Sequence, residues 1–239
     1  MPALLEGLSQ QVKELVQPLL SEDGAGRAVA FDADGTLWRG DVGEDFLRLL
    51  ATEQRYPAMK GRRGIYEEYE RRVAVDPASG YAFAVEVMEG ALEADVHEDA
   101  RTFFGRRFSG RIFRSMRELL TGLKARGYDV WIVSASPYWP VRAGAAALGV
   151  PDNRVIAVSC PVESGVLSLP VTTPVPCFEG KVEQLRAKGV KPVLAVGNGD
   201  LDLPMLAFAE QAIVVAPHGD PGNGLVREAG SRKWPVHRC

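Results

Sequence analysis

Residues 31–38 read FDADGTLW, and the interpretation of the whole chain starts from this octet. The apolar run RAVAF, residues 27–31, is typical of a buried strand. Asp32 and Asp34 follow it directly, and the Gly-Thr step that comes next predicts a turn. In open α/β sheets, reactive side chains collect where the strands end. The octet therefore predicts a site with two carboxylates, although a solvated Asp-Gly turn is the plainer alternative.

Two carboxylates so close together repel each other and lose hydration unless a cation or a shared proton relieves them. That combination indicates a carboxylate nucleophile that works with a metal, beside a second carboxyl group that moves protons. Asp32 is the predicted nucleophile. Asp34 lies two residues later, on the same face of an extended chain, and is the predicted general acid and base.

Three further segments carry polar side chains at or near predicted element ends. They are YDVWIV (residues 128–133) with Ser134 after it, FEGK (residues 178–181) before a helical pattern, and PVLAV (residues 192–196) with GNGDLDLPML after it. An aspartate pair, a serine, a lysine and an acidic loop thus follow one another along the chain. In two of these three segments, as in the octet, polar residues follow directly where an apolar strand ends.

This order and spacing resembles the four motifs of the haloacid dehalogenase-like superfamily of phosphohydrolases. Within it, the chain is most similar to the branch of phosphoserine and phosphorylcholine phosphatases. The resemblance covers residues 27–216 and is thin between residues 43 and 110. It implies a Mg²⁺-dependent phosphomonoester hydrolase that acts on a small soluble phosphate ester through an aspartyl-phosphate.

The resemblance also implies a role for each motif. Asp32 attacks phosphorus, and Asp34 serves the leaving group while its backbone carbonyl binds the metal. Lys181, near the start of a helix, offsets the charge of the phosphate. Ser134 and the amide of Ala135 would donate hydrogen bonds to phosphoryl oxygens.

Two candidate substrate-binding residues have plain alternatives. Ser136 would bind substrate, or it would cap the helix predicted to begin near Pro137. Asp41 lies where phosphoserine phosphatases carry a Glu for the amino group of their substrate, so it would favour a cationic substrate. An acid at a loop or helix start is an equally good interpretation of Asp41.

The predicted metal ligands are Asp32, Asp34, Asn198 and Asp202, and Mg²⁺ is the hard cation that suits such oxygen donors. In the commonest pattern of the superfamily, an acid occupies the place of Asn198. The amide brings a carbonyl oxygen but no charge. Asp202 would bind the metal directly or through water, and Asp200 is the alternative ligand.

Alternating helices and strands in the second half of the chain predict an α/β fold, a doubly wound Rossmann-like parallel sheet. Residues 43–110 break this alternation with helical runs such as 61–73 and 81–92. This segment resembles the helical cap that the superfamily inserts after the first strand, which would exclude water from the site. We therefore predict a catalytic core over residues 1–42 and 111–239.

The bulk composition of the 239 residues excludes several classes of partner. A formal net charge of −3 argues against a nucleic-acid-binding surface, and no run approaches the roughly 20 apolar residues that span a membrane. The N-terminus reads as an amphipathic helix rather than an export signal. The odd number of cysteines, without metal-ligand spacing, favours reduced thiols and a cytoplasmic protein.

Two other functions are consistent with parts of the sequence. A binding or regulatory module with the same fold could have lost turnover, and Asn198 is the one hint of this. Carbon-halogen hydrolysis fits less well, since dehalogenases lack the second aspartate and need no metal, whereas Asp34 is present.

Overall fold

The structure is a computed structural model that describes residues 5–217 and 224–239. Residues 1–4, with which the predicted N-terminal helix and core begin, lie outside the described residues. So do residues 218–223, which belong to the predicted core.

In the part of the chain that the structure describes, six parallel strands form one sheet, and two antiparallel strands form a separate hairpin. The strands are β1 (Ala28–Phe31), β2 (Asp129–Pro137), β3 (Val155–Val158), β4 (Val162–Glu163), β5 (Val166–Leu167), β6 (Pro192–Gly197), β7 (Gln211–Ala216) and β8 (Val236–Arg238). The order in the sheet is β3-β2-β1-β6-β7-β8, and β4 pairs with β5 in the hairpin. The first strand therefore lies inside the sheet, with β2 and β6 on its two sides.

Helices cover both faces of this sheet. They are α1 (Gln10–Ser21), α2 (Val42–Glu53), α3 (Ile65–Val75), α4 (Pro77–Glu86), α5 (Glu93–Arg107), α6 (Arg114–Ala125), α7 (Tyr138–Ala147), α8 (Glu179–Ala187), α9 (Leu203–Phe208) and α10 (Gly224–Arg232). Side chains alternate along β1, so that Val29 and Phe31 belong to one apolar cluster and Ala30 to the other. The prediction of a doubly wound α/β fold is confirmed.

The segment after β1 is helical from α2 to α5. Helix α3 packs against α4, α4 packs against β2 and β3, and α5 packs against α7. The helix predicted over residues 81–92 is wrong in its second half, because α4 ends at Glu86. Gly90 has a φ of 77°, and its amide donates to the carbonyl of Leu167 in the hairpin at 3.0 Å. Through α2 and α4, this segment thus contacts β2, the strand that carries Ser134.

Within the described ranges, no helix is long and apolar enough to cross a membrane.

Candidate active site

The carboxyl ends of β1, β2 and β6 meet at one edge of the sheet. Phe31, the last residue of β1, pairs with Ile132 and Val196 in the two neighbouring strands. Asp32 follows immediately, and its amide donates to the carbonyl of Val196 at 2.8 Å. The polar residues after these strands are therefore brought together, as expected for an open α/β sheet.

The turn after β1 depends on Gly35. Its φ of 72° lies in the left-handed region, which a residue with a Cβ adopts only with strain. A Cβ at this position would also lie 2.2 Å from Nδ2 of Asn198. The amide of Gly35 donates to the carbonyl of Trp38 at 2.8 Å and closes the turn. A larger residue here would push the first and fourth motifs apart.

Asp32 is held at both carboxylate oxygens and is 7% exposed. Its Oδ1 accepts a hydrogen bond from Nζ of Lys181 at 2.7 Å, and its Oδ2 accepts one from Oγ1 of Thr36 at 2.9 Å. Burial and the charge of Asp202 raise the pKa of Asp32 to about 6, although Lys181 and Thr36 favour the ionised form. Its geometry is that of a fixed carboxylate at a strand end.

Lys181, in the third motif, contacts residues of the first, second and fourth motifs. Its side chain is 1% exposed, and Nζ donates to Oδ1 of Asp32 at 2.7 Å, to Oδ1 of Asp202 at 2.6 Å and to the carbonyl of Val133 at 2.8 Å. Burial alone would lower the pKa of Lys181, but Asp202 and Asp32 raise it above its ordinary value. The ammonium therefore stays charged and neutralises part of an acidic cluster.

The chain before Lys181 is strained. Phe178 has φ 48° and ψ −126°, a region that costs a residue other than glycine roughly 1–3 kcal/mol. Its amide donates to the carbonyl of Leu201 at 3.0 Å, and its carbonyl accepts from the amide of Lys181 at 3.1 Å. At Gly180, a Cβ would lie 2.0 Å from the carbonyl oxygen of Val175. Tight packing thus fixes the start of α8 and the position of the lysine.

Asp34 is bound by three donors. Its Oδ1 accepts from Nε1 of Trp38 and from the amide of Val42, both at 2.7 Å. Its Oδ2 accepts from Oγ of Ser136 at 2.6 Å. Burial and the charge of Asp41 raise the pKa of Asp34 well above its ordinary value, against the effect of these hydrogen bonds. A carboxyl group that holds its proton more tightly than usual is suited to act as an acid near neutral pH.

The residues after the second motif do not behave as helix caps. Strand β2 continues to Pro137, four residues beyond the predicted end at Val133. Pro137 itself precedes α7, which has no side-chain cap, so the capping interpretation of Ser136 is wrong. Ser134 is buried, and its Oγ accepts from the amide of Ser136 at 3.1 Å. Ala135 lies between them and is half-buried.

A set of oxygen atoms beside Asp32 fits a divalent cation. The side-chain amide of Asn198 places one terminal atom 2.9 Å from the carbonyl oxygen of Asp34 and 3.1 Å from Oδ2 of Asp32. An amide nitrogen there donates to both oxygens, and an amide oxygen there would complete a set of three oxygen ligands. Neighbouring ligands of an octahedral Mg²⁺ lie about 3 Å apart, so Asp32, Asp34 and Asn198 fit this ion.

The two acids of the fourth motif point to different places. Both oxygens of Asp202 are engaged, Oδ1 with Lys181 and Oδ2 with the amides of Asn198 and Gly199 at 2.9 and 3.1 Å. The exposed Asp200 lies against the start of α10, where a Cβ on Gly224 would be 2.8 Å from its Oδ1. Asp202 thus orders the loop and the lysine, whereas Asp200 faces α10.

The candidate metal set contains few acidic side chains. Among the residues that the structure describes, no cluster of three or more His, Cys, Asp or Glu side chains could hold a metal ion. The set found here instead combines one carboxylate with a main-chain carbonyl and an amide. Such neutral oxygen donors are ordinary ligands of hard cations, but they leave more of the cation's charge for a bound anion.

Asp41 caps α2 and borders the site. Its Oδ1 accepts from the amide of Glu44 at 2.7 Å, so the helix-start interpretation is confirmed. Burial, followed by the charges of Glu44 and Asp45, raises the pKa of Asp41 to about 6. The residue as a whole is half-buried. A role in substrate binding is compatible with this cap.

Three contacts of the site were not predicted from the sequence. Thr36 and Trp38 each lie four residues after the aspartate that they bind. The carbonyl of Val133 accepts a hydrogen bond from the ammonium of Lys181, in addition to the two carboxylates. The octet itself contains the first two residues, and their hydrogen-bonding side chains in a tight turn were the available signal.

Comparison with known proteins places this geometry in a family. The model of the haloacid dehalogenase-like hydrolase family matches residues 29–207, and no curated protein matches the sequence. A Bordetella pertussis Tohama I protein of unknown function has a TM-score of 0.72 at 19% identity, covering 89% of this chain and 98% of its own. A phosphoserine phosphatase in its apo form has a TM-score of 0.55 at 19% identity, covering 88% and 92%. At these identities, the two structures show a shared fold.

Proposed function

Because the chain belongs to the haloacid dehalogenase-like hydrolases, we propose that it is a Mg²⁺-dependent phosphomonoester hydrolase for a small phosphate ester. One observation carries this proposal. The carboxylate of Asp32 is fixed by Lys181 and Thr36 beside Asp34, a second carboxyl group with a raised pKa. This is the pair that a reaction through an aspartyl-phosphate requires.

In the first half of the proposed reaction, an oxygen of Asp32 attacks phosphorus. The bond from phosphorus to the ester oxygen breaks, and Asp34 donates its proton to the departing alkoxide. In the second half, the ionised Asp34 takes a proton from a water molecule, whose oxygen attacks phosphorus. The bond to Asp32 then breaks, which releases inorganic phosphate and restores both carboxyl groups.

The site must offset negative charge before the reaction can occur, because a phosphate monoester and Asp32 are both negative. When bound, Mg²⁺ would supply positive charge next to both groups, held by Asp32, the carbonyl of Asp34 and Asn198. Lys181 adds a fixed positive charge. The hydroxyl of Ser134 and the amide of Ala135 lie in the second half of β2, where they would donate to phosphoryl oxygens.

We further propose that residues 43–110 act as a cap over a core formed by residues 1–42 and 111–239. Helices α2 and α4 pack against β2, and the amide of Val42 at the start of α2 binds Asp34 directly. A cap in this position would exclude water from the aspartyl-phosphate.

The three free cysteines support the proposal that the protein acts in the cytoplasm.

Hydrolysis of p-nitrophenyl phosphate tests the proposal. We expect turnover with Mg²⁺, its loss in EDTA and its recovery when Mg²⁺ is restored. Tight phosphate binding without turnover would instead support a binding module. Metal-independent release of chloride from a haloacid would support a dehalogenase, against the proposal.

A further inference from the structure

A cavity of about 660 Å³ lies at the end of the sheet opposite to the candidate active site. Its walls include Ala28 and Asp129, the first residues of β1 and β2, and Arg154, the residue before β3. Lys188 and Lys191, from the turn between α8 and β6, also line it. Because β6 spans six residues, this amino-end cavity is separated from the catalytic residues by roughly 16 Å of strand.

One guanidinium in this cavity is held in a fixed orientation. Nε of Arg154 donates to Oδ1 of Asp129 at 2.5 Å, and Nε1 of Trp131 donates to Oδ2 of the same carboxylate at 2.9 Å. Cζ of Arg154 also lies over the ring of Trp131, 4.9 Å from its centroid. A carboxylate on one edge and an indole against one face thus position the guanidinium before any ligand binds.

The cations of the amino-end cavity keep donors that nothing else uses. In the described part of the chain, no hydrogen bond involves Nη1 or Nη2 of Arg154 or the ammonium groups of Lys188 and Lys191. Both lysines are exposed, so their ammonium groups can turn toward a ligand. The lining has three basic side chains and one acid, Asp129, which gives it a formal charge of +2 in a chain whose formal net charge is −3. The cavity is therefore suited to an anion.

We propose that the amino-end cavity binds an oligophosphate, a chain of linked phosphate groups, at a site separate from the candidate active site. The free edge of the Arg154 guanidinium presents two parallel donors, which match two oxygens of one phosphate group. Lysine ammonium groups bind phosphate as point charges, and Lys188 and Lys191 supply two of them. One phosphate group satisfies the guanidinium, and the groups linked to it satisfy the lysines.

The aromatic residue of the cavity indicates that the phosphate chain alone is recognised. Trp131 is 4% exposed, and the guanidinium of Arg154 already covers its ring. A nucleobase would therefore find no open indole face on which to stack. We expect inorganic triphosphate to bind as tightly as ATP, because the two share the phosphate chain. Polycarboxylates should bind more weakly, since two of the three cations are lysines, which lack the fork that matches a carboxylate.

Titration calorimetry in EDTA, with sodium triphosphate, ATP and citrate as probes, tests the site without turnover. The double variant Lys188→Gln, Lys191→Gln should bind triphosphate roughly tenfold more weakly or worse. Lys13→Gln with Lys60→Gln removes the same charge from α1 and the helical segment, and is the matched control that should keep the wild-type affinity. Arg154→Lys keeps the charge but loses the fork, so it should also weaken binding.

The outcomes separate this site from the catalytic one. Triphosphate affinity that is unchanged in the Lys188 and Lys191 double variant would assign the binding to the candidate active site and overturn the proposal. An equal loss in the control pair, or citrate bound as tightly as triphosphate, would reduce the site to general attraction of anions and also overturn it. ATP bound more than roughly tenfold tighter than triphosphate would overturn it in favour of a nucleotide site. The double variant should hydrolyse p-nitrophenyl phosphate at the wild-type rate, and a failure of the phosphatase proposal leaves the calorimetry unaffected.

Discussion

The sheet edge and the helical segment above it use charged residues in opposite ways. At the sheet edge, Lys181 is 1% exposed and lies between the carboxylates of Asp32 and Asp202. In the helical segment, ion pairs are more exposed: the side chains of Arg72 and Glu68 are 33% and 25% exposed, and those of Arg101 and Glu98 are 72% and 61% exposed. One region therefore contains a closed cluster of buried charges, and the other contains ion pairs that remain in contact with water.

This difference predicts which substitutions matter. Removal of one partner from a buried cluster leaves a charge that neither water nor protein compensates. Removal of one partner from an exposed pair returns the other to water, with little effect on stability. Substitutions in the buried cluster at the sheet edge should therefore lower stability or activity, whereas substitutions at exposed pairs of the helical segment should have little effect.

The largest effect is expected at Asp32. Asp32→Asn keeps the shape of the side chain but removes the nucleophile, so kcat should fall roughly a thousandfold or more. Beryllium fluoride should bind the wild type and not the variant. Asp95→Asn, an exposed acid of the helical segment, is the control and should retain wild-type turnover. Near-normal turnover by Asp32→Asn, with deamidation excluded, would remove the residue from its role.

Lys181→Met should strongly destabilise the fold as well as abolish activity. The change leaves Asp32 and Asp202 buried without their shared cation, and breaking such a cluster costs about 3–5 kcal/mol. Urea denaturation measures the loss, with Arg101→Met as the exposed control whose midpoint should not move. Equal midpoints for the two variants would contradict the contrast between the regions.

Asn198→Ala should weaken metal use without affecting the fold. The Mg²⁺ concentration for half-maximal rate should rise roughly tenfold or more, because one of three converging oxygens is lost. Asn198→Asp should bind Mg²⁺ as well as the wild type or better. Asp200→Ala is the matched change in the same loop, and if it alone alters the Mg²⁺ requirement, the ligand assignment is wrong.

The smallest effect concerns pH and Asp41. With a pKa raised to about 6, this carboxyl is ionised at pH 7.5 and protonated at pH 5, so attraction for a cationic substrate is lost as the pH falls. The kcat/KM ratio of phosphocholine to its uncharged isostere, 3,3-dimethylbutyl phosphate, should drop roughly two- to fivefold over that range. Titration of the phosphate group is common to both esters and cancels. A ratio in Asp41→Asn that still varies with pH would assign the effect to another acid.

The parts of the site that follow from the sequence are those that local pattern controls. Apolar runs end at Phe31 and Val196, and the polar residues after them must lie at one edge once the strands are parallel. The contact of Ser136 with Asp34 could not be predicted, because the two residues are 102 positions apart in the chain. Locally, a serine before a predicted helix is typical of a cap.

The last two elements, α10 and β8, were not predicted from the sequence for a similar reason. Strand β8 has only three residues, of which Val236 is half-buried and Arg238 is exposed. Its strand conformation depends on pairing with β7, and neither an apolar run nor an alternating pattern in the sequence predicts it. Helix α10 has Gly at its first position and again near its end, which lowers helix propensity. In both cases, contact with the rest of the sheet, rather than the local sequence, determines the conformation of the segment.

The indole of Trp38 gives the site an optical signal of its own. The ring is fully buried, and Nε1 donates to the carboxylate that is proposed to exchange protons during turnover. Protonation of Asp34 would remove negative charge from one end of the indole and shift its emission. Stopped-flow fluorescence can therefore follow the state of the acid within a single turnover, with Trp38→Phe separating this signal from the three other tryptophans.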